Sequence, residues 1–168
     1  MIVAFEDLQG LQLEHITVCA GWFDMFHLGH LNFIGNAKKQ SEKLLVVVMN
    51  DKDGKFIKGD TRPLIKEEQR LLIVDSIKYV DYTLLSKSVP SMPPPKGIKE
   101  DNKTRLLWDR YIPIIQMLKP DRIFSLEETL RWNGLGKYLA SNGFSIVYSE
   151  RFPDISTTDL ENKLKHSV

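Results

Sequence analysis

The chain has 168 residues, 42% of them hydrophobic and 27% charged, with a formal net charge of +1. That length suits one domain with its own core, and the near-neutral balance gives no bulk attraction for nucleic acid or an anionic membrane. A single cysteine, Cys19, excludes an internal disulfide framework, no apolar run approaches the roughly 18 residues of a membrane span, and the acidic pair Glu6 and Asp7 breaks any secretory leader, so the expected location is the cytoplasm.

Taken in chain order, residues 15–20, "HITVCA", are apolar and β-branched and stop at Gly21, which predicts a buried strand. After a loop, Leu28, Leu31, Phe33, Ile34 and Ala37 give an apolar helical face over 28–40, with Lys38 and Lys39 near its end, where cations are favoured. The run "KLLVVVMND" (43–51) is the clearest strand, and its unbroken apolar character predicts cover on both faces, as in a parallel α/β sheet. A polar loop with Gly54, Gly59 and Pro63 is expected over 52–63, then a helix over 66–79 that turns Leu71, Leu72, Val74, Ile77 and Tyr79 inward, then a strand over 80–85. Residues 86–103 are rich in Pro, Ser and Lys and read as an extended insertion, because successive prolines resist helix and sheet. A helix over 104–119, bent or restarted at Pro113, leads to a strand over 120–126. A glycine-interrupted helix over 127–143, a last strand over 144–150 and a helix over 155–167 complete the chain.

Strand and helix alternate, which predicts right-handed βαβ units in a single domain: a three-layer, Rossmann-like, doubly wound parallel sheet of about five strands. Such sheets bind ligands beyond the carboxyl ends of their strands, at the topological switch. The stretch "GWFDMFHLGH" (21–30) falls at that end of the first strand, and it holds two of the chain's 4 histidines, His27 and His30. On an opening helical turn, positions i and i+3 share a face. Gly29 between them lets a ligand approach the backbone, and a helix start attracts anions. These residues suit a phosphate site. A metal site with Asp24 as a third ligand and a simply packed histidine pair are the alternatives. At the other end, Ser156, Thr157 and Thr158 open the last helix just after Arg151. One hydroxyl suffices as a cap, so three with a nearby arginine suit a second anion-binding helix start. Lys55, Lys58 and Arg62 punctuate the 52–63 loop, and Arg70 lies in the helix after it. A solvated basic surface is the simpler reading of each of these taken alone.

Together these stretches resemble a family. "GWFDMFHLGH" is similar to the G-x-F/Y-D-x-x-H-x-G-H signature of the cytidylyltransferase-like nucleotidyltransferases. "RFPDISTTDL" resembles their R-x-x-x-I-S-T-T motif, and "KGDTRPLIKEEQRLLIVDSIKYVD" resembles the lysine-bearing segment and E-x-R helix between the two. The resemblance covers about 15–85 and 144–165. It implies a Rossmann-like fold, commonly a homodimer, that transfers a nucleotidyl group from a nucleoside triphosphate with Mg²⁺ to a phosphorylated small-molecule acceptor, releasing pyrophosphate without a covalent enzyme intermediate. By that resemblance His27 and His30 donate to triphosphate oxygens, Lys58 with Lys55 neutralises phosphates, and Arg70 holds the phosphates of acceptor or nucleotide. Gly21, Phe23 and Asp24 would shape the nucleotide-facing turn, Ser156, Thr157 and Thr158 would hold the β- and γ-phosphates, and Trp22, Gly29, Arg151 and Ile155 would complete the nucleotide-binding set. "KGDTRP" followed by "EEQR" looks most like heptose-phosphate adenylyltransferases, hence ATP. Arg151 with "STTDL" looks more like glycerol-3-phosphate and ethanolamine-phosphate cytidylyltransferases, and Arg151 tips the reading to CTP.

The chain departs from the family pattern between 86 and 140. Ser125 to Glu128 stand where the family has a glycine-rich nucleotide-binding turn, the Pro-rich segment reads as an insertion, and Trp132 is a candidate either for stacking on a base or for the core. Two rivals remain. "HLGH" resembles the H-I-G-H of class I aminoacyl-tRNA synthetases, but size, the missing K-M-S-K-S loop and the lack of a basic RNA face oppose that reading. A nucleotide-binding sensor without turnover is the other.

Overall fold

The computed structural model describes residues 1–11, 13–89, 102–130, 135–153 and 156–165. The apolar run at 43–51 forms strand β3 (Lys43–Val48), fully buried from Leu44 onward. It pairs in parallel with β2 (Ile16–Gly21) on one side and β4 (Tyr82–Leu85) on the other. β5 (Arg122–Leu126) adds to the far side of β2, and β6 (Ile146–Ser149) to β5. A sixth strand, β1 (Ile2–Val3), pairs with β4, so the all-parallel sheet has the order β1-β4-β3-β2-β5-β6. The expected count of about five is short by this edge strand. Two residues carry no periodicity, and only the register Ile2↔Thr83 and Val3↔Leu84 makes them a strand.

The helices are α1 (Leu28–Lys38), α2 (Asp51–Lys58), α3 (Glu67–Asp75), α4 (Asn102–Leu118), α5 (Glu127–Leu130), α6 (Leu135–Ser141) and α7 (Thr157–Lys165). Side chains alternate across a strand, and the core divides accordingly. Leu45, Val47, Val18 and Ile123 pack with Trp108, Tyr111, Ile112 and Ile115 of α4 and with Leu135 and Leu139 of α6. Leu44, Val46, Val48 and Cys19 pack on the other face with Ile34 and Ala37 of α1 and Val74 of α3. This is the three-layer arrangement expected for a doubly wound sheet.

Several boundaries differ from the sequence reading. The segment expected as a loop over 52–63 begins as α2. Asn50 caps it, its side chain accepting from the Asp53 amide at 2.9 Å, with Asp51 and Asp53 in the first turn and Lys55 and Lys58 in the last. That arrangement complements the helix dipole and outweighs the glycine at 54. α4 runs unbroken through Pro113, which is flanked by the fully buried Ile112 and Ile114. Helix 66–79 stops at Asp75, Leu72 is 59% exposed rather than inward, and Leu28 is 57% exposed at the start of α1. Of the Pro-rich segment, Ser86–Ser88 form a single 3-10 turn, and most of the rest, 90–101, lies outside the described residues, as do Trp132, Gly134 and Ile155. No helix among the described residues is long and apolar enough to cross a membrane.

Candidate active site

The topological switch lies at β2, where the chain leaves to β3 on one side and β5 joins on the other. At its carboxyl end Gly21 lies close under Phe23: a Cβ there would come within 2.8 Å of the Phe23 ring, which would have to shift. Phe23 and Met25 both have left-handed backbone, φ 53° and 46°, which costs energy for any residue with a side chain. The Asp24 carboxylate between them holds this turn. Nearly inaccessible, it accepts from the Leu64 and Ile65 amides at 3.0–3.1 Å and from Arg62 at 3.3 Å. Burial by itself would raise its pKa, but the amides of Ile65 and Leu64 and the Arg62 guanidinium outweigh it and hold Asp24 below the usual carboxylate value. The carbonyl of Asp24 in turn accepts from Thr157 Oγ1 at 3.0 Å, tying the start of α7 to the end of β2.

The turn delivers the histidines to the start of α1. His27 is the N-cap, and its Nδ1 accepts from the Gly29 amide at 3.1 Å. In the neutral ring this leaves the proton on Nε2 as the available donor. His30 stacks on His27 with ring centroids 3.8 Å apart, and the Phe23 ring meets His30 edge-on at 5.4 Å. Burial, with His27 and Lys58 adding, pushes the pKa of His30 down to about 3. Burial lowers that of His27 as well, against the opposing charge of Asp159. At neutral pH both rings are therefore uncharged, and what they can offer a ligand is a directional N–H rather than a positive charge.

A cavity of about 400 Å³ opens at this point, with the two helix starts facing into it. It brings together Gly21, Trp22, Phe23, Asp24, His27, Gly29 and His30 from the first motif with Lys58, Arg151, Ser156, Thr157 and Thr158. Ser156 caps α7, accepting from the Asp159 amide at 3.1 Å. Its hydroxyl serves the helix as well as the cavity, the simpler role that the sequence left open.

Lys55 and Arg70 are not among the lining residues. Lys55 is exposed on α2. Arg70 has no exposed surface, and its guanidinium donates to the carbonyls of Ile65 (2.8 Å), Met49 (2.9 Å) and Trp22, and to the Asp51 carboxylate (2.6 Å). With these donors engaged, Arg70 binds strand ends together where a phosphate contact was expected. The alternative of Asp24 as a metal ligand meets a similar obstacle, since both its oxygens accept backbone amides. Among the described residues no three His, Cys, Asp or Glu side chains are grouped to hold a metal.

The structure adds lining residues that the sequence did not single out, chiefly Met49 after β3 and Leu107 and Tyr111 of α4. Tyr111 donates its hydroxyl to the Val18 carbonyl at 3.0 Å and offers the cavity an apolar ring. No local signal marks these three. Leu107 and Tyr111 reach the site because α4 packs on β2 from about 90 residues away, and Met49 because its amide bonds the Gly21 carbonyl at the end of β2. Ser125 and Leu126, at the turn that departs from the glycine-rich pattern, also line the cavity.

The protein described as bifunctional protein HldE of Enterobacter sp. (strain 638) is 35% identical over 155 residues, 90% of this chain and 28% of that protein. The same-named protein of Citrobacter koseri is 35% identical over 132 residues, 77% of the chain and 25% of that protein. The chain thus spans about a quarter of these curated relatives. Among solved structures, a lipopolysaccharide core biosynthesis protein from Thermoplasma volcanium superposes with a TM-score of 0.58 at 22% identity, covering 82% of this chain and 98% of that one. Pantothenate synthetase from Thermus thermophilus does so at 0.70 and 12% identity, covering 98% and 70%. These two show the shared fold. The profile described as Cytidylyltransferase-like matches residues 18–163, from within β2 into α7 and across both helix starts. The chain belongs to the cytidylyltransferase-like family of nucleotidyltransferases.

Proposed function

We propose that this domain moves a nucleoside monophosphate from a nucleoside triphosphate to a phosphorylated small alcohol or sugar. The carrying observation is the convergence of two helix starts, His27–His30 and Ser156–Thr158, on one cavity at the β2/β5 switch. An acceptor phosphate oxygen attacks the α-phosphorus, the bond from that phosphorus to the bridging oxygen breaks, and pyrophosphate carries the electron pair away. The phosphate nucleophile needs no protein base, so catalysis is positioning and charge stabilisation. His27 Nε2–H donates to an oxygen of the triphosphate, the His30 ring buttresses His27, and Lys58 and Arg151 supply the positive charge that the neutral imidazoles lack.

Mg²⁺ fits this site as a companion of the triphosphate rather than of a protein cage. Mg²⁺ commonly keeps waters and takes few protein ligands, and the described residues group no three His, Cys, Asp or Glu side chains as a cage, with Asp24 already engaged. When bound it would offset part of the negative charge of the triphosphate. His27, Lys58 and the α7 start would hold the complex through its phosphates.

CTP is the favoured nucleotide, because Arg151 lines the cavity whereas Arg62 is turned to Asp24 and shapes the loop. ATP is the second reading, favoured by the "KGDTRP" and "EEQR" stretch and by the length of the similarity to HldE. A sugar phosphate acceptor is in keeping with the description of the Thermoplasma neighbour as a lipopolysaccharide core biosynthesis protein. A homodimer belongs to the same reading and is checked by light scattering. The deciding experiment crosses the four nucleoside triphosphates with a library of phosphorylated alcohols and sugars and reads pyrophosphate. Release with CTP and one acceptor class supports the favoured reading, and release with ATP alone selects the second. Triphosphates that raise the melting temperature without turnover on any acceptor would leave a binding sensor.

A further inference from the structure

Lys58 is the last residue of α2, and Gly59, with φ 94°, turns the chain away directly after it. Its ammonium lies 4.6 Å from the centroid of the Trp22 ring, and both residues line the cavity. The indole is confined. A Cβ on Gly54 would fall 2.8 Å from Trp22 Nε1 and 2.6 Å from Pro63 Cδ, so α2 and the following loop press on it directly. Arg70 grips the Trp22 carbonyl, and the loop carrying Pro63 is tied down through the Asp24 carboxylate. Trp22 Nε1 is buried and makes no hydrogen bond. What the tryptophan offers is therefore its face. An aromatic face attracts a cation, most strongly when that face is an indole. A lysine side chain otherwise sweeps many rotamers and loses that freedom when it meets a ligand. Ordering it beforehand removes part of that cost at binding.

We propose that Trp22 is a positioning residue that acts through Lys58: its indole face holds the ammonium at the cavity wall before the triphosphate arrives. The idea rests on the cavity being a triphosphate site, as argued above, and it gives Trp22 a role through Lys58 rather than through direct contact with the nucleotide.

A double-mutant cycle tests it, with CTP and ATP affinities read by calorimetry for the wild type, Trp22→Leu, Trp22→Phe, Lys58→Ala and Trp22→Leu/Lys58→Ala. Trp22→Leu should weaken binding about 3- to 10-fold, the range of a partly exposed cation–aromatic contact, and Trp22→Phe should recover most of it. In the Lys58→Ala background the same leucine should change affinity by less than about 2-fold, since the partner is already gone. An equal loss in both backgrounds overturns the proposal, because the indole would then touch the nucleotide or merely hold the fold. If the wild type binds neither triphosphate, the reading of the site falls and this proposal falls with it. Tight wild-type binding without coupling overturns the proposal alone. Should Trp22→Leu not fold, the wild type still decides: the Lys58 ε-methylene protons must be shifted upfield by the indole ring current in the nucleotide-free protein. Unshifted protons would overturn the preordering.

Discussion

At the scale of single residues the site depends on keeping two stacked imidazoles neutral. Burial, with His27 and Lys58 beside it, lowers the His30 pKa from 6.5 to about 3, so between those values the unfolded chain binds a proton that the folded chain does not. Stability from His30 is therefore complete above pH 6.5 and is lost as pH falls through that window. Asp24 behaves differently: its lowered carboxyl contributes above its ordinary value of 3.8 and gives way only below it. Chemical denaturation at pH 7, 5.5 and 4.5 should show stability falling steadily, and the NMR shifts of His30 ring protons should stay flat from pH 8 to 5. A His30 midpoint near 6.5 would contradict the buried environment. His27→Ala removes both the Nε2 donor and the cap on α1. Turnover should fall about 10²- to 10³-fold, as for other positioned donors. The helix start should weaken by about 1 kcal/mol. Steady-state kinetics and thermal melting separate the two. The types and spacing of these residues were legible in "GWFDMFHLGH", because an i, i+3 pair after a strand is a local pattern. Their neutrality was not, because it comes from Phe23, Phe26 and Lys58 closing around the rings.

At the scale of elements, the connection from β3 to α3 carries most of what sequence reasoning missed. It read 52–63 as a loop on the strength of its glycines, yet Gly54 sits within α2 for a packing reason: no Cβ fits under Pro63 and Trp22. Gly54→Ala should therefore destabilise by about 1–3 kcal/mol, the usual cost of overpacking, although alanine is the better helix former. Thermal melting reads it, and a stabilised variant would mean that the contact relaxes freely. Arg70 is the second case. An arginine in a helix resembles either a surface cation or a phosphate ligand, and nothing local reveals that four partners from three stretches, Trp22, Met49 with Asp51, and Ile65, converge on it. Arg70→Met would take the donor from the carbonyls of Trp22 and Met49 and the ion-pair partner from Asp51, whose other oxygen keeps the Glu67 amide, at a cost of about 3–5 kcal/mol. Arg70→Lys should rescue little, since one ammonium cannot reproduce the guanidinium fork. Denaturant titration gives the magnitude, and near-wild-type stability with lost activity would return Arg70 to the phosphate role first expected.

At the scale of the whole molecule, the site exists only because α1, α7 and α4 meet over the carboxyl end of β2. A ligand that bridges them stabilises the fold by mass action. A triphosphate present at about 100 times its dissociation constant should add about 2.7 kcal/mol, or roughly 5–10 °C in melting temperature for a domain of this size. A melting temperature unmoved by any triphosphate would argue against the cavity as a nucleotide site. The strand–helix alternation, the buried character of β3 and the two polar helix starts were determined by the sequence alone, because hydrophobic period and capping chemistry act over a few neighbouring residues. Tertiary structure alone decided that Ile2–Val3 is an edge strand, that Arg70 is a clamp, that Tyr111 and Met49 wall the cavity, and that Thr157 is bonded to Asp24 across 133 positions. Each of these is a contact between distant segments, set by how the sheet is ordered and how the helices pack on it, and no window of sequence contains both partners.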